Sequence, residues 1–108
     1  MAGEDRRQTS RVPFVAEVLC RIDEFSFSRR SINISSDGMF IEDAHPPEND
    51  SAISVEFTLN GTSISFSGRV VFRKPPVGFG VSIEDIESEV RKRIENHVQD
   101  LLSRLRQG

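Results

Sequence analysis

The sequence predicts a small domain dominated by β structure: an antiparallel six-stranded β-barrel followed by one C-terminal amphipathic helix. Two observations predict it. Between Val12 and Ile83 apolar and polar residues alternate in short runs separated by turn signals, the period-two pattern of half-buried strands. After Ile83 the apolar period lengthens to three or four residues and stays so almost to the end. A chain of 108 residues suits one compact domain. Its expected parts are a flexible Arg-rich segment over 1–11, the barrel over 12–83 and the helix over 84–106.

Residues Met1 to Arg11 are polar, mixed in charge and without periodicity, which predicts a flexible tail. A first strand is expected from Val12 to Ile22, with Phe14, Ala16, Val18, Cys20 and Ile22 on one face. Pro13 belongs at its start or on an edge, because proline gives no ladder donor. The next strand spans Phe25 to Ile34, but its phase slips: Phe25 and Phe27 mark odd positions, Ile32 and Ile34 even ones. A β-bulge near Arg29-Arg30 reconciles the halves.

Ser35 to Gly38 reads as a turn, Met39 to Glu42 as a short strand, and His45 to Asp50 as a loop. Ile53, Val55, Phe57 and Leu59 then alternate with polar residues up to Asn60-Gly61, which suits the positive φ angles of a type I′ hairpin. The return strand is expected to place Ile64, Phe66, Gly68, Val70 and Phe72 on one face. After Pro75-Pro76, Val77, Phe79, Val81 and Ile83 define the last strand. Ile86, Val90, Ile94, Val98, Leu101 and Leu105 form the stripe of the helix, with Ser88 or Asp85 as its cap.

Composition narrows the function. A single cysteine, Cys20, rules out an intrachain disulfide and a cysteine-based metal cluster. It falls on a core face and reads as a buried thiol in a reducing compartment. There is no apolar leader and no run of about 20 apolar residues that would span a bilayer. A cytoplasmic protein without membrane insertion is therefore expected. Net charge is −3, which argues against a general DNA or RNA binder. Residues 1–34 carry six basic and five acidic side chains, whereas residues 35–108 carry eight and twelve. A small anion is tolerated best at the N-terminal part. His45 and His97 lie in different elements and read as surface residues, so no metal site is expected. No nucleophile–base pair can be assembled, so catalysis is not expected. Arg91-Lys92-Arg93 reads as a solvated helix face.

Two short patterns carry the functional reading. Arg7-Gln8-Thr9-Ser10-Arg11, preceded by Arg6, joins the tail to the first strand. Asn33-Ile34-Ser35-Ser36-Asp37-Gly38 ends one strand and turns into the next. Taken alone, the first is ordinary surface charge and the second an ordinary Asx or Ser turn. Together, at this spacing, they resemble the PilZ domain family, whose members carry Arg-x-x-x-Arg followed by (Asp/Asn)-x-Ser-x-x-Gly. Arg11-Val12-Pro13-Phe14, the Gly78-Phe79-Gly80-Val81 strand and the terminal helix extend the likeness over nearly the whole chain.

The resemblance implies a PilZ-like split barrel that binds the bacterial second messenger cyclic di-GMP and needs no cofactor. Carried over by position, it implies a binding site of Arg6, Arg7, Arg11, Asn33, Ser35 and Gly38. The chemistry is consistent. Cyclic di-GMP is a dianion with two guanines, and an arginine fork pairs with phosphate or with guanine O6 and N7. Asn33 supplies an oxygen for a guanine N–H, Ser35 a hydroxyl donor, and Gly38 unusual φ or close ligand approach. The implied role is a receptor that changes conformation on binding and signals to an unidentified downstream protein, as a monomer or weak homodimer. Competing readings are a ligand-independent adaptor of the same fold and a nucleic-acid-binding barrel. The second lacks the basic excess it would need.

Overall fold

The computed structural model describes residues 10–107. Seven strands and one helix follow in order: β1 (Val12–Pro13), β2 (Glu17–Ile22), β3 (Phe25–Ile34), β4 (Gly38–Glu42), β5 (Ala52–Leu59), β6 (Thr62–Lys74), β7 (Gly78–Asp85) and α1 (Ser88–Gln107). All pairings are antiparallel. The sheet runs β3-β2-β5-β6-β7-β4, and β4 pairs back onto β3 to close a six-stranded barrel, with β1 added against β3. No described helix is long and apolar enough to cross a membrane.

The expected first strand is interrupted. Val12 pairs with Ile34, while Glu17 pairs with Arg30, one residue out of step. The slip falls between Phe14, whose N–H reaches the Ile32 carbonyl, and Ala16, whose carbonyl receives the Ser31 N–H. Val15 is the extra residue and turns outward, 67% exposed. The Ser31 side chain repairs the gap. Fully buried, its hydroxyl donates to the Phe14 carbonyl (2.7 Å) and accepts from the Ala16 N–H (3.1 Å). Backbone groups that the slip would orphan are thereby satisfied.

Two further bulges correct the expected phases. In β3 the irregularity lies between Ser31 and Asn33, not at Arg29-Arg30. Arg29 keeps a regular inward phase because Asp43, itself buried, takes its guanidinium at 2.9 Å. In β6 a shift between Val70 and Phe72 makes Val71 the extra residue. Ile64, Phe66 and Val70 remain in the core, but Phe72 rotates to the outer face. Val77 precedes the last strand and is exposed.

The strand pairs that set the core fold as the alternation requires. Asn60 and Gly61 take φ of 51° and 83°, as a type I′ turn demands. Phe57 meets Phe14 and Phe66 edge to face at centroid distances of 5.5 and 6.4 Å. Cys20 lies buried among these residues, and burial pushes its thiol pKa up to about 12.

Helix α1 begins at Ser88, later than the change of period, because Asp85 still belongs to β7 and Ile86 packs on the core as a linker residue. Neither proposed cap occupies the capping position; the Glu87 carbonyl receives the Arg91 N–H. Ile94 and Val98 are buried against the barrel, Val90 and Leu101 half-buried. Leu105 is 66% exposed, so the stripe outruns the barrel. His97 is half-buried rather than a surface residue, its ring edge on Phe14 at 5.7 Å.

Candidate ligand-binding site

The short β1–β3 ladder builds the site. Val12, buried in the core, and Pro13, opposite Asn33, hold the chain against the end of β3. Arg11, the residue before β1, therefore projects over Asn33. Its Nη1 donates to Asn33 Oδ1 at 2.9 Å. Proline here costs no ladder bond, since β1 lies on an edge.

The turn between β3 and β4 is set by Ser35. This buried hydroxyl accepts from the backbone N–H groups of Asp37 and Gly38, both at 3.1 Å, while the Ser35 N–H donates to the Gly38 carbonyl at 2.8 Å. As placed, the side chain shapes the turn from inside. Gly38 does not have positive φ. A Cβ there would lie 2.5 Å from the Val81 carbonyl oxygen and 3.7 Å from Arg11 Nη2. The missing side chain thus serves the close approach of β4 to β7 and keeps open the space beside Arg11.

Arg11 and Asn33 form the rim of a surface cavity of about 400 Å³, lined also by Ile32, Phe40, Phe72, Lys74 and Val77. Phe40 and Phe72 stack at 5.7 Å with their planes 20° apart. Gly80 lies beneath; any Cβ at that position would strike the Phe72 ring. Two cations and no carboxylate line the cavity. An aromatic surface edged by a guanidinium and an ammonium suits a flat, anionic ligand.

The structure therefore brings together Arg11, Asn33, Ser35 and Gly38 of the expected residues. Arg6 and Arg7 lie outside the described residues. Phe40 and Lys74 are cavity residues that the sequence reading did not single out, and Phe72 is one that the alternation had assigned to the core face. The bulge at Val71 reverses the face of Phe72, and the alternation from Ile64 to Phe72 shows no break that would mark it. Arg91 is no solvated residue either: half-buried, its Nη1 donates to the Ser36 carbonyl at 2.6 Å. The cleft lined by Glu17, Arg30 and Glu42 mixes both charge signs, and a neighbouring one carries Glu17 and Glu56 without a cation. Among the described residues no group of His, Cys, Asp and Glu could hold a metal ion.

Comparison with known proteins agrees with this fold. No curated protein matches the chain. Among solved structures, it is similar to the inhibitor of motility of Bacillus subtilis (MotI/DgrA), with a TM-score of 0.74 and 17% identity over 91% of this chain. The chain spans about half of that protein, 52% of its length. It is also similar to the PilZ domain of CeSA from a cellulose-synthesizing bacterium, with a TM-score of 0.67 and 14% identity. That match covers 85% of this chain and 97% of the other. At such identities these likenesses concern the fold. The PilZ domain model matches residues 5–100, a span that holds the barrel, both arginine and asparagine–serine–glycine patterns, and most of the helix. The chain belongs to the PilZ domain family, a family of cyclic di-GMP receptors.

Proposed function

We propose that this chain binds cyclic di-GMP on the outer face of its barrel, in the cavity edged by Arg11 and Asn33, and that it acts by binding rather than by catalysis. The observation that carries the reading is the Arg11–Asn33 hydrogen bond at the rim of a cavity lined by stacked Phe40 and Phe72. A guanine lies flat against Phe72, while Arg11 turns its remaining N–H donors to a phosphate or to guanine O6 and N7. Lys74 supplies a point charge for the messenger's second phosphate.

Asn33 keeps its part in this scheme. Arg11 engages one lone pair of Oδ1, which leaves the second to accept from a guanine N–H and two amide N–H donors for the ligand. Ser35 and Gly38 act through the shape of the turn. Arg6 and Arg7 add two positive charges to the set of residues that take the ligand. The resulting surface is what a downstream protein reads, and the setting is the bacterial cytoplasm.

Calorimetric titration tests the proposal. Cyclic di-GMP should bind, with cyclic di-AMP and GTP giving little or no heat, because adenine offers no paired O6 and N7 acceptors. Equal heats from the two cyclic dinucleotides would overturn it. Absence of binding by all three would leave the ligand-independent adaptor.

A further inference from the structure

The turn that supports Arg11 and Asn33 is tied to the C-terminal helix by the side chain of Arg91. Arg91 lies one turn before the buried Ile94, and its guanidinium turns back toward the barrel. Nη1 donates to the Ser36 carbonyl at 2.6 Å and lies 3.5 Å from Asp37 Oδ1. Nη2 donates to the Ile83 carbonyl at 3.4 Å. The Ile83 N–H in turn donates to the Asp37 carbonyl at 2.8 Å. One planar fork thus ties the β3–β4 turn, the end of β7 and α1 together. Its neighbours Lys92 and Arg93 are exposed. At the same turn, Arg11 Nη2 lies 3.7 Å from the space a Gly38 side chain would fill.

From this arrangement we infer that Arg91 is a positioning residue, which couples occupancy of the ligand site to docking of α1. The inference rests on the proposed messenger site. Arg91 touches no ligand; it fixes the turn whose shape sets Asn33 and Gly38. Coupling of this kind is reciprocal: if docking of the helix favours the ligand geometry, then the ligand favours docking. Helix α1, whose end outruns the barrel, is then the element through which occupancy reaches a partner. Lysine at 91 cannot replace arginine, because one ammonium cannot span acceptors on both the turn and β7.

Hydrogen exchange of the full chain, with and without cyclic di-GMP, tests the inference alongside calorimetry. In the wild-type protein the messenger should slow exchange of α1 amides. Arg91→Ala should bind at least about fivefold more weakly, the low end of allosteric coupling, and should lose the ligand-dependent slowing in α1. Arg91→Lys should follow Arg91→Ala. Should Arg91→Ala not fold, Asp37→Asn removes only the ion pair and should lower the slowing in part. Wild-type affinity in Arg91→Ala, or α1 protection that still follows the ligand, overturns the coupling. A ligand-free arm separates this from failure of the messenger reading. Exchange of the Ile83 amide should quicken in Arg91→Ala whether or not any nucleotide binds. An unchanged Ile83 amide overturns the tether itself, whereas a wild-type chain that binds no messenger overturns the site and the coupling with it.

Discussion

An arginine at the edge of a strand ordinarily contributes charge and little else. Arg11 is set apart by its acceptor, since Asn33 Oδ1 holds one arm of the fork and leaves the other donors directed at the cavity. Losing a charged hydrogen bond costs roughly 1.5–3 kcal/mol. Arg11→Ala should therefore weaken cyclic di-GMP binding by about tenfold or more, with the urea midpoint nearly unchanged because Arg11 is exposed. Arg11→Lys should recover little, as it restores charge without the planar fork. Normal binding by Arg11→Ala, measured by calorimetry, would remove the main support for the site. Cys20 makes a different residue-scale prediction. Burial raises its thiol from 9.0 to about 12, with Arg29 opposing and Asp43 adding slightly. The folded chain therefore holds this proton more tightly than the unfolded chain. Its contribution is fully present below about pH 9 and is lost as pH rises from there toward 12, by up to about 1.4 kcal/mol per pH unit. Denaturation midpoints between pH 8 and 11 should fall accordingly, and less steeply in Cys20→Ala. The native thiol should also resist alkylation at pH 8 until the chain is unfolded.

Among the elements, what was legible in the sequence and what was not divides at the bulges. β5 and the first half of β6 follow their alternation residue by residue, because each presents one face to the core and one to solvent across a tight turn. The slips at Val15 and Val71 leave no break in the alternation of their own strands, whereas the phase change within β3 announced a bulge and misplaced it by about two residues, since its position is set by the pairing with β4. Their consequences reach the site. Arg11 and Asn33 were legible as a motif, whereas Phe72 was assigned to the wrong face, and Arg91 could not be separated from its exposed neighbours without the fold. Ser31 shows the difficulty best: a serine in a run of serines and arginines is in fact the buried filler of a broken ladder. Ser31→Ala would leave the Ala16 N–H and the Phe14 carbonyl without partners, at about 1–3 kcal/mol. It should also loosen β1, and so lower messenger affinity although Ser31 lies outside the cavity. Urea unfolding and calorimetry on the same variant check both effects. An unchanged midpoint would show that another group repairs the slip.

Across the whole molecule the barrel separates stability from recognition by the side of the sheet on which an aromatic ring falls. Phe57 points inward, 4% exposed, and joins Phe14 and Phe66 in the core beneath α1. Phe72, on the adjacent strand, lies outside at 42% exposure and stacks on Phe40 above Gly80. Both rings come from alternating strands and are chemically identical, so their roles differ only through the bulge at Val71. Phe57→Ala should cost about 3–5 kcal/mol, the usual range for truncating a buried phenylalanine. That is a large part of the 5–15 kcal/mol typical of a domain. It should leave the affinity of the remaining folded fraction nearly intact. Phe72→Ala should do the reverse, shifting the urea midpoint little while removing a stacking contact worth about 1–3 kcal/mol per base. The two variants, measured by urea midpoint and by titration with cyclic di-GMP at a temperature where both remain folded, should therefore fail in opposite assays. If Phe72→Ala loses as much stability as Phe57→Ala and binds the messenger normally, the outer aromatic pair is part of the core, and the binding face must lie elsewhere on the barrel.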